Sequence, residues 1–227
     1  MIRPDRRVLV FSAHAADFCS RAGGAILRFV DAGCEVKIVD LTYGEKCESP
    51  LLWNENPDIT LDDVKDIRRE EIQAAAAVVG APIECLDYDD SPLLVGPERR
   101  AQILEVIRAF QPDLVLCHWI NDYLHPDHVE AVNAVIWASR YCFRPGIKTE
   151  HPPCAAPEIV CYEPIAGIGP IVGYKPNLYV DITGVWDRKA EALRALASQP
   201  ELPSRYEIIG RYRALEAQIT ANMKQSD

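Results

Sequence analysis

The sequence has no long hydrophobic run. Nowhere in its 227 residues does an apolar stretch reach the roughly 18 residues that a membrane-spanning helix needs. Residues Met1-Ile2-Arg3-Pro4-Asp5-Arg6-Arg7 pass straight into a strand-like run whose apolar stretch is too short for a secretory signal. The expectation is a cytoplasmic protein with no membrane partner. A basic patch is also missing. Lys and Arg number 24 against 34 Asp and Glu, for a net charge of −10. The densest cationic spots are Arg6-Arg7, Arg68-Arg69 and Arg99-Arg100, and the last two sit beside Glu70-Glu71 and Glu98 in helix-like segments, as solvated faces do. Such a chain repels nucleic acid, so no nucleic-acid partner is expected. The 8 cysteines contain no C-x-x-C pair, which argues against a thiolate zinc cluster and a thioredoxin-like motif and points to reduced thiols. Internal repeats, low-complexity tracts and linkers are absent. A hydrophobic share of 48% and a charged share of 26% are ordinary for a globular protein. The length suits one domain over residues 1–227.

What is present is an alternation of short apolar runs with longer helical patterns. Val8–Phe11 reads as a buried strand and Arg21–Ala32 as a helix closed by Gly33. Glu35–Leu41 reads as a second strand, followed by a polar loop from Thr42 to about Thr60. Leu61–Val79 is a strong helix that stops at Gly80, and Ile83–Leu86 is a short strand. Pro97–Phe110 is a helix, Leu114–Cys117 a strand and His128–Tyr141 a helix. The second half is looser. Ile159–Tyr162 and Leu178–Ile182 look like strands, Val185–Ala197 and Arg205–Met223 like helices, and the glycines and prolines between Pro164 and Pro176 suggest a long loop. Strand–helix alternation predicts an α/β fold with a mostly parallel sheet, whose ligands bind beyond the carboxyl ends of the strands.

That rule directs attention to the histidines. Of 5, four fall after predicted strands: His14, His118, His125 and His128. An isolated histidine there is commonly a hydrogen-bonded structural residue, but two clusters at two strand ends invite a metal. In Ser12-Ala13-His14-Ala15-Ala16-Asp17, an imidazole and a carboxylate at i and i+3 can share one divalent ion. In His125-Pro126-Asp127-His128, Pro126 stiffens the turn and His128 projects from the first turn of a helix. His14, Asp17 and His128 make a two-His, one-carboxylate set suited to catalytic zinc, with Asp127 or a neighbour orienting an imidazole.

Ala13-His14-Ala15-Ala16-Asp17 resembles the A-H-P-D-D motif of the PIG-L (LmbE-like) zinc-dependent deacetylases, and His125-Pro126-Asp127-His128 resembles their second motif, H-P-D-H. Gly23-Gly24, the helix with Arg68-Arg69-Glu70-Glu71 and Ala74–Ala77, and the later Pro176–Ile182 with Lys189 extend the resemblance over most of Arg7–Ser198. It implies a Rossmann-like three-layer sandwich and metal ligation by His14, Asp17 and His128. In the deacetylases the residue before the ligand aspartate is the general base, and here that position is Ala16. A methyl group cannot take a proton, and losing a general base costs on the order of 10²–10⁴ in rate.

The Ala-Ala-Asp-Phe form, Arg21–Ile26 and the run Tyr43-Gly44-Glu45-Lys46-Cys47-Glu48-Ser49 before Leu52-Trp53 look like the PIG-L-type 4-oxalomesaconate hydratases. That branch adds water to an unsaturated carboxylate from aromatic ring cleavage, 4-carboxy-2-hydroxymuconate, and implies Glu48 as acid/base. His125 would donate to carbon or to an oxyanion, and Asp127 would assist as orienting group or base. Two departures stand out. The hydratases carry a functional His after a Glu-Pro pair, where Glu163-Pro164 is here followed by Ile165, and the chain ends at Asp227, short of the hydratase pattern. Three functions compete: a metal-dependent hydratase of an unsaturated oxo- or hydroxy-polycarboxylate, a zinc-dependent N-deacetylase with Glu48 or Asp127 as base, and a non-catalytic relative. Zinc is the expected ion, with manganese or iron also compatible. The expected partners are a small-molecule carboxylate and, by the resemblance, further copies of the chain. Lys46, Arg140, Arg144 and Lys175 are candidate carboxylate-binding cations.

Overall fold

The computed structural model describes residues 2–165 and 169–225. Its centre is a five-stranded sheet of β1 (Arg7–Ser12), β2 (Glu35–Asp40), β3 (Ile83–Cys85), β4 (Leu114–Cys117) and β5 (Glu158–Cys161). Every neighbouring pair is parallel, in the order β3-β2-β1-β4-β5. Burial on both faces explains why β1 reads as a continuous apolar run rather than an alternation. Val8 and Val10 pack into one core with Ile26 and Leu27, Ile72, Leu193 and Tyr206. Leu9 and Phe11 pack into the other with Ile103, Ile107, Val132 and Val135. The first core belongs to α1 (Gly23–Asp31), α3 (Leu61–Val79), α6 (Trp186–Ala195) and α7 (Leu202–Gln225), the second to α4 (Pro97–Phe110) and α5 (Pro126–Tyr141). Helix, sheet and helix are the three layers that the sequence predicts.

The helix limits follow local chemistry. Thr60 Oγ1 accepts from Asp63 N at 3.1 Å while Asp63 accepts from Thr60 N at 3.0 Å, a reciprocal cap that starts α3. Gly80, at φ +78°, stops it in a left-handed turn that a side chain disfavours. Pro97 and Pro126 open α4 and α5 where a missing N–H costs no helical bond. Among the described residues no helix is long and apolar enough to cross a membrane.

Three expectations are corrected. Residues Leu178–Ile182 form no strand. Ile182 lies directly on the Gly24 backbone of α1, which keeps the segment on the helical layer and off the sheet edge. The loop after β2 contains a short helix, α2 (Pro50–Glu55), whose signal was Ser49-Pro50 at its start. The first helix opens as a π-helical turn at Phe18–Ala22 before α1. The loop expected between Pro164 and Pro176 includes residues 166–168, which lie outside the described residues.

β2 and β3 lie on one side of β1, and β4 and β5 lie on the other. The loops leaving β1 and β4 therefore diverge from a topological switch point, where such sheets hold ligands.

A Cβ built on Gly24 would stand 2.6 Å from Ile182 Cγ2 and 3.0 Å from its Cβ, both stiff branched atoms. Gly24→Ala is expected to destabilise the fold by about 1–3 kcal/mol through overpacking, seen as a lower urea midpoint. Adding Ile182→Ala should recover part of the loss.

Candidate metal centre and active site

The loops from the switch point converge on a buried polar cluster. His14 and Asp17 follow β1, His118 follows β4, and His128 stands in the first turn of α5. His14, Asp17, His118, Asp122 and His128 are all at most 1% exposed. The loop after β1 is a closed turn: Asp17 Oδ2 accepts from His14 N at 3.0 Å, and Asp17 N donates to His14 O at 3.2 Å. The second loop is closed by His125 N donating to Asp122 O at 2.9 Å and His128 N to His125 O at 3.0 Å. Sequence spacing thus becomes fixed geometry.

Three ring nitrogens surround Asp17 Oδ2: His14 Nδ1 at 3.3 Å, His118 Nε2 at 3.4 Å and His128 Nε2 at 3.5 Å. They are not equivalent. His118 Nε2 accepts from the Ala13 N–H at 2.9 Å, so its lone pair is used. His14 Nδ1 and His128 Nε2 are buried and have no hydrogen-bond partner. Their far nitrogens face carboxylates, His14 Nε2 at 3.2 Å from Asp127 Oδ2 and His128 Nδ1 at 2.8 Å from Asp122 Oδ2. Each carboxylate favours a proton on the ring nitrogen it faces, which would turn the other lone pair toward an ion beside Asp17; without an ion, burial opposes a second proton on His14 but Asp127 and Asp17 outweigh it and raise its proton affinity. Each unsatisfied buried polar atom costs about 1–3 kcal/mol. The ligand atoms of His14, Asp17 and His128 all lie within 4.8 Å of one another. Two inward lone pairs and a carboxylate, backed by two carboxylates, fit a divalent cation.

The charges agree. Burial opposes ionisation of Asp17, but Arg21, then His128 and His118, outweigh it and hold the carboxyl well below its ordinary range. Arg21 Nη2 lies 3.1 Å from Asp17 Oδ1, and Nη1 lies 3.7 Å from Asp122 Oδ2. Burial, helped by His128, pushes His118 down to about 3. Burial and then His14 push His125 down to about 4. Both rings are therefore neutral at pH 7. The His125 ring stacks on His128 at 3.7 Å, and its Nδ1 has no partner.

Asp127 has both oxygens engaged. Oδ2 meets His14 Nε2 and the Ser91 N–H at 2.9 Å, and Oδ1 accepts from the Leu93 N–H at 2.9 Å. Burial resists, but these donors hold its carboxyl well below the usual range. This geometry suits orienting His14 better than taking a proton.

Glu48 enters from the loop after β2. Its Oε2 accepts from the Ala16 N–H at 3.0 Å and from Arg68 Nη2 at 3.1 Å. Gly44, at φ +66°, makes the turn, and a Cβ there would stand 3.0 Å from Glu48 Oε2. Fully buried Arg68 is itself fixed by Tyr43 O at 3.2 Å, Glu71 Oε2 at 2.7 Å and Gln199 Oε1 at 3.1 Å. Burial first, and then the Asp17 charge, push the Glu48 carboxyl up.

The candidate cations do not gather here. Arg140 belongs to the far end of α5 and Arg144 lies just beyond it, and 12 residues from His128 to Arg140 is about 18 Å of helix. Lys46 Nζ donates to Asp90 O at 3.0 Å, and exposed Lys175 lies in the loop that follows the residues left undescribed. The guanidiniums at the centre are Arg21 and Arg68. Arg21 carries a legible signal, a cation four residues after Asp17. Asp122 carries none, because only the fold of the loop after β4 aims it at His128.

Comparison with known proteins agrees with this geometry. Residues 9–139 match the PIG-L family model, described as GlcNAc-PI de-N-acetylase. The chain is 35% identical over 221 residues to 4-oxalmesaconate hydratase of Pseudomonas putida, spanning 96% of this chain and 83% of that protein. The crystal structure of GalB, the 4-carboxy-2-hydroxymuconate hydratase from P. putida, superposes with a TM-score of 0.89 at 33% identity, over 96% of this chain and 90% of that one. Diacetylchitobiose deacetylase of Thermococcus kodakarensis is 29% identical over 199 residues, 86% of this chain and 70% of that protein. The family match, the parallel sheet and the histidine–aspartate cluster at its switch point agree, and the chain belongs to the PIG-L family.

Proposed function

We propose that this chain is a metal-dependent hydratase, adding water to an unsaturated oxo- or hydroxy-polycarboxylate of the 4-oxalomesaconate or 4-carboxy-2-hydroxymuconate type. The observation that carries this reading is Glu48. Residue 16 has no carboxylate, and the Ala16 N–H instead binds the carboxylate of Glu48, beside the ligand set. The similarity to the P. putida hydratase supports the substrate class.

His14, Asp17 and His128 would hold the ion, with Asp127 and Asp122 orienting the two imidazoles. Zinc is the ion we assign from two imidazoles and one carboxylate. A divalent ion there supplies Lewis-acid polarisation of substrate oxygens. The chain's own groups handle the protons. Glu48, on a fixed Arg68 and with its affinity for a proton raised, takes one from the attacking water as the C–O bond forms. The neighbouring carbon of the former double bond gains a proton. That proton can come back from Glu48, while His125, neutral and stacked on His128, is placed to steady developing negative charge with its ring N–H.

A deacetylase reading keeps one observation in its favour, the intact His125-Pro126-Asp127-His128 turn together with the similarity to the T. kodakarensis deacetylase. One paired assay separates them. Metal-analysed protein is given 4-carboxy-2-hydroxymuconate, followed by its ultraviolet absorbance, and in parallel N-acetylglucosamine compounds, followed by amine release. The expected result is loss of the dienol absorbance, abolished by a chelator. Amine release without dienol consumption would overturn the hydratase reading.

Glu48→Gln should lower kcat for hydration by about 10²–10⁴ with metal content unchanged, as removal of a proton-transfer group does. A carboxylate in Ala16→Asp would stand against Glu48 and Asp17, and hydration should fall about 10-fold or more as like charges disturb the base. Amine release gained in the same variant would mark a deacetylase frame put to another use. Asp122→Asn should weaken metal binding about 10–100-fold in chelator competition, the usual effect of losing a carboxylate behind a ligating histidine.

A further inference from the structure

Among the described residues a second ligand set overlaps the first. His14, Cys47 and His125 each offer a ligand atom, and these atoms lie within 4.8 Å of one another. The hydration scheme uses His14 and His125 but leaves Cys47 without a role. The thiol is not a free surface group. It is half-buried on the loop after β2, it interacts with the His14 ring, and its backbone N–H is anchored to Asp90 Oδ2 at 2.9 Å. His125 Nδ1 is a buried ring nitrogen with no partner. A thiol, a bare imidazole nitrogen and the shared His14 form a softer donor set than His14, Asp17 and His128, because sulfur replaces a carboxylate oxygen.

We propose that His14, Cys47 and His125 form a second cation site for thiophilic divalent ions, of which Cd2+ is the probe. Binding replaces the thiol proton, which leaves to solvent as the sulfur–metal bond forms. His14 has one ring nitrogen without a partner, since Nε2 is engaged by Asp127. It can serve one ion at a time, so filling the soft set withdraws a ligand from the His14–Asp17–His128 set. An ion there also occupies His125 and stands beside the residue that precedes Glu48. The site is therefore inhibitory by construction. The inference rests on ligand geometry and is independent of which reaction the enzyme catalyses.

The test is a Cd2+ titration of the zinc-loaded protein, with the ultraviolet thiolate-to-cadmium charge-transfer band read beside zinc release into a chromogenic chelator. The band and the release should rise together. Cys47→Ala should abolish the band, and Cys161→Ala, a half-buried thiol elsewhere, should keep it. His125→Ala should weaken Cd2+ binding at least about 10-fold, the loss of one ligand. Circular dichroism verifies that each variant is folded. A band of equal strength in Cys47→Ala, or a band that rises with no zinc release, overturns the proposal. Asp17→Asn gives a second discrimination: the band persists if the soft set is separate, and its loss would make Cys47 a ligand of the first ion.

Discussion

The structure turns on one buried carboxylate. Asp17 sits at the carboxyl end of the central strand with almost no exposure, and burying an isolated charge there would be prohibitive. Arg21, one helical turn later, pairs with its Oδ1, and three imidazoles close around its Oδ2. The cluster is unsatisfied in hydrogen bonds, and the nitrogens of His14 and His128 that face Asp17 are among its unpartnered atoms. A cation is the group that completes it. The π-helical turn at Phe18–Ala22 lies between Asp17 and α1, and π-turns are frequent where a helix start serves a site.

Around that carboxylate the protein is built to keep side chains still. Each inward imidazole is backed by its own carboxylate, and the Asp127 carboxylate is in turn pinned by two backbone N–H groups. Glu48 is held through a longer chain. Ser198 donates to Glu71, Glu71 accepts from Arg68, and Arg68 donates to Glu48. The loop after α6 is thereby tied to the acid/base candidate through α3. Buried networks of this kind are stabilising when every member is satisfied and costly when one is removed.

The exchange at residue 16 shows how one fold hosts different chemistry. The first loop has no side-chain carboxylate at residue 16, and its backbone N–H there is taken by a carboxylate from the second loop. On the proposed reading the acid/base group stands on the second sheet-edge loop instead of the first, while the candidate metal set keeps its place. Gly44 favours this arrangement, because its φ of +66° disfavours a side chain and a Cβ there would crowd Glu48 at 3.0 Å. Proton transfer is a property of position and burial, so a loop exchange of this sort can redirect a site without altering the sheet.

The sequence alone determined the sheet, most helix limits and the residues of the candidate ligand set. Apolar runs in β1 and β4 require burial on both faces, caps at Thr60 and Gly80 are local chemistry, and His14, Asp17 and His128 carry their spacing in two short motifs. Tertiary structure decided the rest. The strand expected at Leu178–Ile182 is absent because Ile182 is claimed by Gly24, a contact between segments more than 150 residues apart. Arg140 and Arg144 looked like substrate cations but stand at and beyond the far end of α5, which helix length, not composition, settles. Asp122 and Arg68 gained their roles only when the loop after β4 and helix α3 folded against the switch point. A side chain's type is written in the sequence, but its hydrogen-bond partner is chosen by whichever distant backbone the fold brings within 3 Å or so.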